Sequence, residues 1–190
     1  MKMKIVKALT LAVGAAATFS ANATLLNFEG SPNMANYEGF SFTNAGYLKA
    51  ASYPSYQGIA QGLISGTNVG YNPSFGTTSF TSATSFSFNS GYFTSFDGSG
   101  TPLIISAFLN GNLLGSQTFQ ISDLHSTLIS LDQGLFGNVD RVSFSNNPNA
   151  VVFDDLTLSA AAVPEPGSLA LFGIAIAGLV WSRRQGKAAA

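Results

Sequence analysis

Three acidic residues offer the chain's best candidate chemistry. Glu29 stands in the string Leu26-Asn27-Phe28-Glu29-Gly30, and Asp154 and Asp155 stand in Phe153-Asp154-Asp155-Leu156-Thr157-Leu158. Clustered carboxylates are costly unless protons or a cation compensate. A hard cation with oxygen ligands answers that need, and Ca²⁺ suits it best. If the first and last strands of the fold pair, Glu29 approaches Asp154 and Asp155, and the three become candidate ligands of a structural calcium ion. The alternative puts the acids on separate, solvated faces. Glycoside hydrolysis needs two carboxylates flanking one bond. Asp154 and Asp155 are adjacent, so a regular strand points them to opposite faces, which leaves only Glu29 with one of them.

The tyrosines are the second resource. A tyrosine ring combines apolar area with a polar tip and stacks on sugar rings. Tyr53, Tyr56 and Tyr71 lie in the loop-rich stretch from Ala50 to Gly76 and are the candidate sugar-binding residues; the competing reading is rim packing. His125 is the single histidine, in Ile121-Ser122-Asp123-Leu124-His125-Ser126. That string reads as a strand-connecting loop, and no G-x-S-x-G nucleophile elbow accompanies it. The chain has no cysteine, which removes disulfide, zinc-thiolate and thiol chemistry. The expected protein is not an enzyme and has no certain cofactor beyond the calcium candidate.

The elements that position these residues are strands. Thr84-Ser85-Phe86-Ser87-Phe88 sets two phenylalanines on one face and serines on the other. Two apolar runs flank Asn110-Gly111, the pair favoured in a type I′ hairpin turn. Val139, Arg141 and Ser143 alternate with Asp140, Val142 and Phe144. A last strand is expected to put Val152, Leu156 and Leu158 on one face, interrupted by Asp154. Short strands at regular spacing with turn signals predict an all-β, antiparallel β-sandwich, jelly-roll-like, over residues 24–162. The sixteen phenylalanines, mostly within this stretch, supply its core.

Charge is sparse and uneven. Between Thr24 and Val163 the only cations are Lys49 and Arg141, against eight acids, a net charge near −6. A nucleic-acid partner is excluded on that ground, since it requires a basic footprint. Ser, Thr, Asn and Gly take the place of ions on the surface, a composition that suits extracellular polymers and sugars.

The ends of the chain read as addresses. Residues 1–23 have a lysine-bearing start (Lys2, Lys4, Lys7), an apolar run from about Ala8 to Phe19, and the small-x-small site Ala21-Asn22-Ala23. That order predicts a secretory signal helix cut after Ala23 by signal peptidase. Near the other end, Val163-Pro164-Glu165-Pro166 precedes an apolar run, Leu169 to Trp181, which stops at Arg183-Arg184. Fifteen residues of helix span about 22 Å against a bilayer core of about 30 Å. The prolines end the helix on one side, and the arginines hold the other side in the cytoplasm. This is a marginal transmembrane helix, suited to a handle that is recognised and then cut. An ordinary C-terminal anchor is the alternative.

Residues 163–187 resemble a PEP-CTERM sorting signal. The resemblance rests on Val163, Pro164, Glu165 and Pro166, the apolar run, and Arg183 with Arg184. It implies recognition by exosortase, a membrane protease, and passage through the inner membrane of a Gram-negative bacterium to the cell surface or the extracellular polysaccharide matrix of a biofilm. Glu165 would then be a recognition residue. More loosely, Asn27-Phe28-Glu29-Gly30, Tyr37 to Phe42, Val139 to Phe144 and Phe153 to Leu158 resemble other cargo domains of that system. The acidic trio also resembles the calcium site of carbohydrate-binding jelly rolls. The implied alternative is a carbohydrate-binding module with structural calcium.

Overall fold

A computed structural model describes residues 23–98 and 101–161. The expected signal helix and C-terminal membrane helix lie outside these residues. Among the described residues no helix is long and apolar enough to cross a membrane. The strands are β1 (Ala23–Leu26), β2 (Phe40–Thr43), β3 (Gly46–Lys49), β4 (Asn68–Tyr71), β5 (Thr78–Ser95), β6 (Thr101–Leu109), β7 (Asn112–Ile121), β8 (Thr127–Ser130), β9 (Val139–Ser145) and β10 (Val151–Ala160). Two short helices, α1 (Gln57–Gly62) and α2 (Gln133–Phe136), accompany them. The strand pairings are antiparallel, so the protein is all-β in class.

The long strand β5 organises two layers. Its first part, from Thr78 to Ser82, lies between β2 and β9, and β9 leads on to β6 and β7. Its later part, from Phe86 to Ser95, lies beside β10 and, over Ser90 to Phe93, beside β8. On its other edge β10 carries β1 along one stretch and β4 with β3 along another. Between the two parts, Ala83, Thr84 and Ser85 are exposed and the β5–β9 register breaks. The chain thus passes from one layer to the other within one strand, and the layers form an antiparallel sandwich.

Phenylalanines join the layers, as the alternating strings predict. Phe80 meets Phe88 edge-on at 5.4 Å, Phe93 meets Phe144 at 5.4 Å, and Phe144 meets Phe153 at 4.9 Å. Such edge-to-face pairs add about 0.5–1.5 kcal/mol each beyond the area they bury. The Asn110-Gly111 turn has positive φ at both residues, 52° and 79°, as a type I′ hairpin requires.

Two local expectations are corrected. Val152 does not share a face with Leu156 and Leu158. Val151 and Phe153 face the main core before the acids, and Leu156 and Leu158 face it after them, while Val152 belongs to a second cluster on the opposite side. A bulge causes the slip: the β5–β10 register shifts between Asp154 and Thr157, and Asp155 takes φ +48°. The stretch from Ala50 to Gly76 is also more than loops with short strands. It contains a 3-10 turn (Ala50–Ser52) and α1, whose Ile59 is fully buried with Leu48, Ala50, Val69 and Val152.

Candidate functional site

The bulge in β10 brings both aspartates to one loop. Asp154 is fully buried. Its Oδ2 accepts the backbone N–H of Ile64 at 2.9 Å and of Ser65 at 3.1 Å, and its Oδ1 accepts that of Asp155 at 2.8 Å. The Ser65 hydroxyl donates to Asp155 Oδ1 at 2.7 Å. Regular alternation would have pointed the two side chains apart; positive φ at Asp155 cancels it, and both reach Ser65. Glu29, just beyond β1, grips the other end of the same loop. Its Oε1 accepts the N–H groups of Thr67 and Asn68, both at 2.7 Å, and its Oε2 accepts the Thr67 hydroxyl at 3.1 Å. Between the grips, Gly66 has φ +64°, and a Cβ there would stand 2.3 Å from the Glu29 carboxyl carbon.

The electrostatics follow from these contacts. The amides of Thr67 and Asn68 hold the Glu29 carboxyl below its ordinary value. Burial pushes Asp154 up to about 6, against the pull of the amides of Ser65, Ile64 and Asp155, and the charge of Asp155 adds to the rise.

Glu29, Asp154 and Asp155 therefore converge on one loop, 64–68, but the residues do not fit a calcium ion. Both oxygens of Asp154 and Oε1 of Glu29 face N–H donors, whose positive ends occupy the directions a cation would need. Among the described residues no group of three or more His, Cys, Asp or Glu side chains is arranged to hold a metal ion. The loop's amides and hydroxyls do the compensating work assigned to the cation. The sequence could not reveal this, because backbone donors carry no residue signature.

The three candidate tyrosines separate. Tyr53 and Tyr56 are 43% and 46% exposed, with ring centroids 6.4 Å apart and planes at 55°. Tyr56 leans on Phe96 at 4.9 Å, and Phe96 in turn packs on the second core cluster. The pair is thus an exposed aromatic surface with a buried foundation. Tyr71 is half-buried on β4 with its ring against Gly46. His125 is exposed in the loop between β7 and β8, as its string predicts.

Sequence reading missed two surface features. On the outer face of the β2–β5–β9–β6–β7 layer, Thr43, Ser79, Ser143, Ser106 and Ser116 stand opposite one another in turn, one per strand. At about 4.8 Å per strand this hydroxyl row runs about 19 Å. Beside it the Arg141 guanidinium stacks 3.8 Å from the Phe108 ring centroid. The individual serines were visible; their alignment depends on register, which no single strand encodes. The second feature is an open cleft of about 430 Å³ between the β6–β7 hairpin and α2, lined by Leu109, Leu114, Leu135, Ser87, Gln133 and Asn138 among others. The Ser87 hydroxyl donates to the carbonyl of Gly137, and Gln133 Nε2 to those of Phe88 and Leu131, so these polar groups serve the fold.

Residues 162–184 match the family described as PEP-CTERM protein-sorting motif. A search of curated proteins finds no match. Among solved structures, the CBM22-1 xylan-binding domain from Paenibacillus barcinonensis is similar at 12% identity, over 76% of this chain and 98% of that one, with a TM-score of 0.48. A family 29 carbohydrate-binding module is similar at 15% identity, over 77% and 99%, with a TM-score of 0.47. TmCBM61, in complex with beta-1,4-galactotriose, is similar at 11% identity, over 70% and 97%, with a TM-score of 0.38. At these scores the likeness says nothing about what this chain binds.

Proposed function

We propose, from a chain whose residues 162–184 carry a PEP-CTERM protein-sorting motif, that the protein is an exported, non-enzymatic component of the cell surface or exopolysaccharide matrix of a Gram-negative bacterium. Residues 1–23 direct export and are removed by signal peptidase. Residues 24–162 form the exported, jelly-roll-like sandwich. Residues 163–187 hold the chain briefly in the inner membrane, where exosortase recognises Val163 to Pro166 and the tail ending at Arg183-Arg184 is lost. The motif is the observation that carries this reading. The clasp that Glu29, Asp154 and Asp155 form on loop 64–68 supports the non-enzymatic part, because these carboxylates spend acceptors on the fold.

The test is intact-mass analysis of the protein recovered from a host with an exosortase. The mature mass is expected to begin at Thr24 and to lack Trp181. Glu165→Ala is expected to leave a longer, membrane-held species. A recovered protein that retains Trp181 overturns the reading.

The exposed pair Tyr53–Tyr56 favours a second reading, in which the domain also contacts a neutral glycan. The rings stand 6.4 Å apart and open to solvent. Titration with matrix polysaccharide is expected to show binding that weakens at least about ten-fold, or 1.4 kcal/mol, in Tyr53→Ala and Tyr56→Ala. Exposure of both side chains allows these variants to fold. Absence of binding by the unaltered domain removes this reading and leaves the first intact.

A further inference from the structure

Ala23 and Thr24 are already strand residues. In β1, Ala23 stands opposite Ser159, Thr24 opposite Leu158, Leu25 opposite Thr157 and Leu26 opposite Leu156. Leu26 and, just beyond it, Phe28 are fully buried. The bond between Ala23 and Thr24, which the signal reading assigns to signal peptidase, thus lies inside a β-ladder. Enzymes that act on a chain in extended form bind it through its main-chain N–H and C=O groups, the mode of strand addition. β10 engages the groups on one edge of β1 and holds the strand in the sheet, so the bond cannot lift away to enter such an enzyme's cleft.

The partner is the last strand of the domain. Export proceeds from the N-terminus, so β1 crosses the membrane long before Val151–Ala160 arrives to pair with it. During that interval β1 has no ladder, and the Ala23–Thr24 bond is open. Once β10 arrives, the bond is held in the ladder opposite Ser159 and Leu158. We infer that β1–β10 pairing closes the window for signal removal: the signal must be cut before the sandwich closes, and a chain that folds first is locked in its uncleaved form. This rests on the proposed signal and sorting reading and adds an order of events to it. It also has a spatial consequence. Ala23 faces Ser159, and the sorting motif begins two residues beyond Ala160. Both processing sites therefore leave the domain from one pole, and cutting the C-terminal tail of a locked chain does not release it.

The test uses the full chain, residues 1–190, folded in detergent with its signal uncut, and purified bacterial signal peptidase as the probe. A companion variant carries about eight Gly/Ser residues between Ala23 and Thr24, which keeps Ala21-Asn22-Ala23 but moves the bond off the ladder. Intact mass reports the cut. The folded original is expected to be cut at least about ten-fold more slowly than the folded variant, because cleavage waits on local opening of β1. Both are expected to be cut alike when unfolded and diluted into the assay. Equal rates for the two folded proteins, fast or slow, overturn the inference. No cut after Ala23 in the unfolded original overturns the signal reading itself, and the inference with it.

Discussion

Asp154 is contested by its own surroundings. Three amide donors favour its charge, while full burial and the neighbouring Asp155 oppose it, and burial prevails. Its carboxyl rises from 3.8 to about 6, so its contribution to stability is fully present below pH 3.8 and is lost as pH rises through about 6. Glu29 is lowered, so its contribution is present above 4.5 and lost as pH falls through its folded value. The charge of Asp155 acts on Asp154, and the charge of Asp154 in turn helps raise Tyr37, after burial as the larger cause. Thermal unfolding is expected to show greatest stability at about pH 4–4.5, falling by on the order of 1–2 kcal/mol as pH rises to about 6 and little beyond. Asp154→Asn flattens that fall; a variant that keeps the slope assigns it elsewhere. Gly66→Ala combines positive φ with a clash at Glu29 and is expected to cost about 1–3 kcal/mol in urea unfolding. Chelator leaves the unfolding temperature unchanged if amides rather than calcium satisfy the acids. At this scale the pairing of the first and last strands was legible, and with it the approach of Glu29 and the two aspartates to one loop, 64–68. Its purpose was not, because the sequence shows the acceptors and hides the backbone donors.

The elements explain why some positions read clearly and others did not. The β6–β7 hairpin was legible because Asn110-Gly111 fixes its turn locally and both strands alternate around it. The last strand misled, because Val151 to Phe153 and Leu156 to Leu158 each alternate correctly but in opposite phase. Nothing in Asp154-Asp155 announces the bulge that joins them; it is stabilised by Ser65, about ninety residues away in the chain. Helix α1 escaped notice because six residues carry no helical period, and its glycines resemble loop punctuation. In the structure Gly58 allows close approach instead: a Cβ there would stand 1.9 Å from the Ser95 carbonyl oxygen. Backbone cannot yield as a side chain tip can. Gly58→Ala is therefore expected to lift α1 from β5 at a cost of about 2–3 kcal/mol. The contact of Tyr56 with Phe96 should fail with it, read as a change in near-ultraviolet aromatic circular dichroism. An unchanged spectrum and stability would show that α1 does not hold the tyrosine pair in place.

For the molecule as a whole, β10 is the strand on which closure depends. It pairs with β1, β4 and β5, contributes Phe153 to the aromatic core, and supplies both aspartates of the clasp. Its pairing with β1 joins the two ends of the domain, and loop-closure entropy must be met before such distant contacts contribute. β1, β4 and β5 therefore each lack a partner strand until the final segment is present. A chain of residues 24–149 is expected to show no cooperative unfolding transition, since removing β10 uncovers Phe28, Phe93 and Phe144 together and leaves the Ile64 and Ser65 amides without their acceptor. A chain of residues 24–161 is expected to unfold in one cooperative step, because β10 and every pairing described for it are then present. Urea unfolding followed by circular dichroism separates the outcomes. A cooperative transition in the shorter chain would mean that β2, β5, β9, β6 and β7 form a core alone, and the sandwich would then be two stability units sharing β5. If the longer chain alone unfolds cooperatively, the domain boundary lies where the sorting motif begins, and folding and the exposure of that motif are separable properties of one chain.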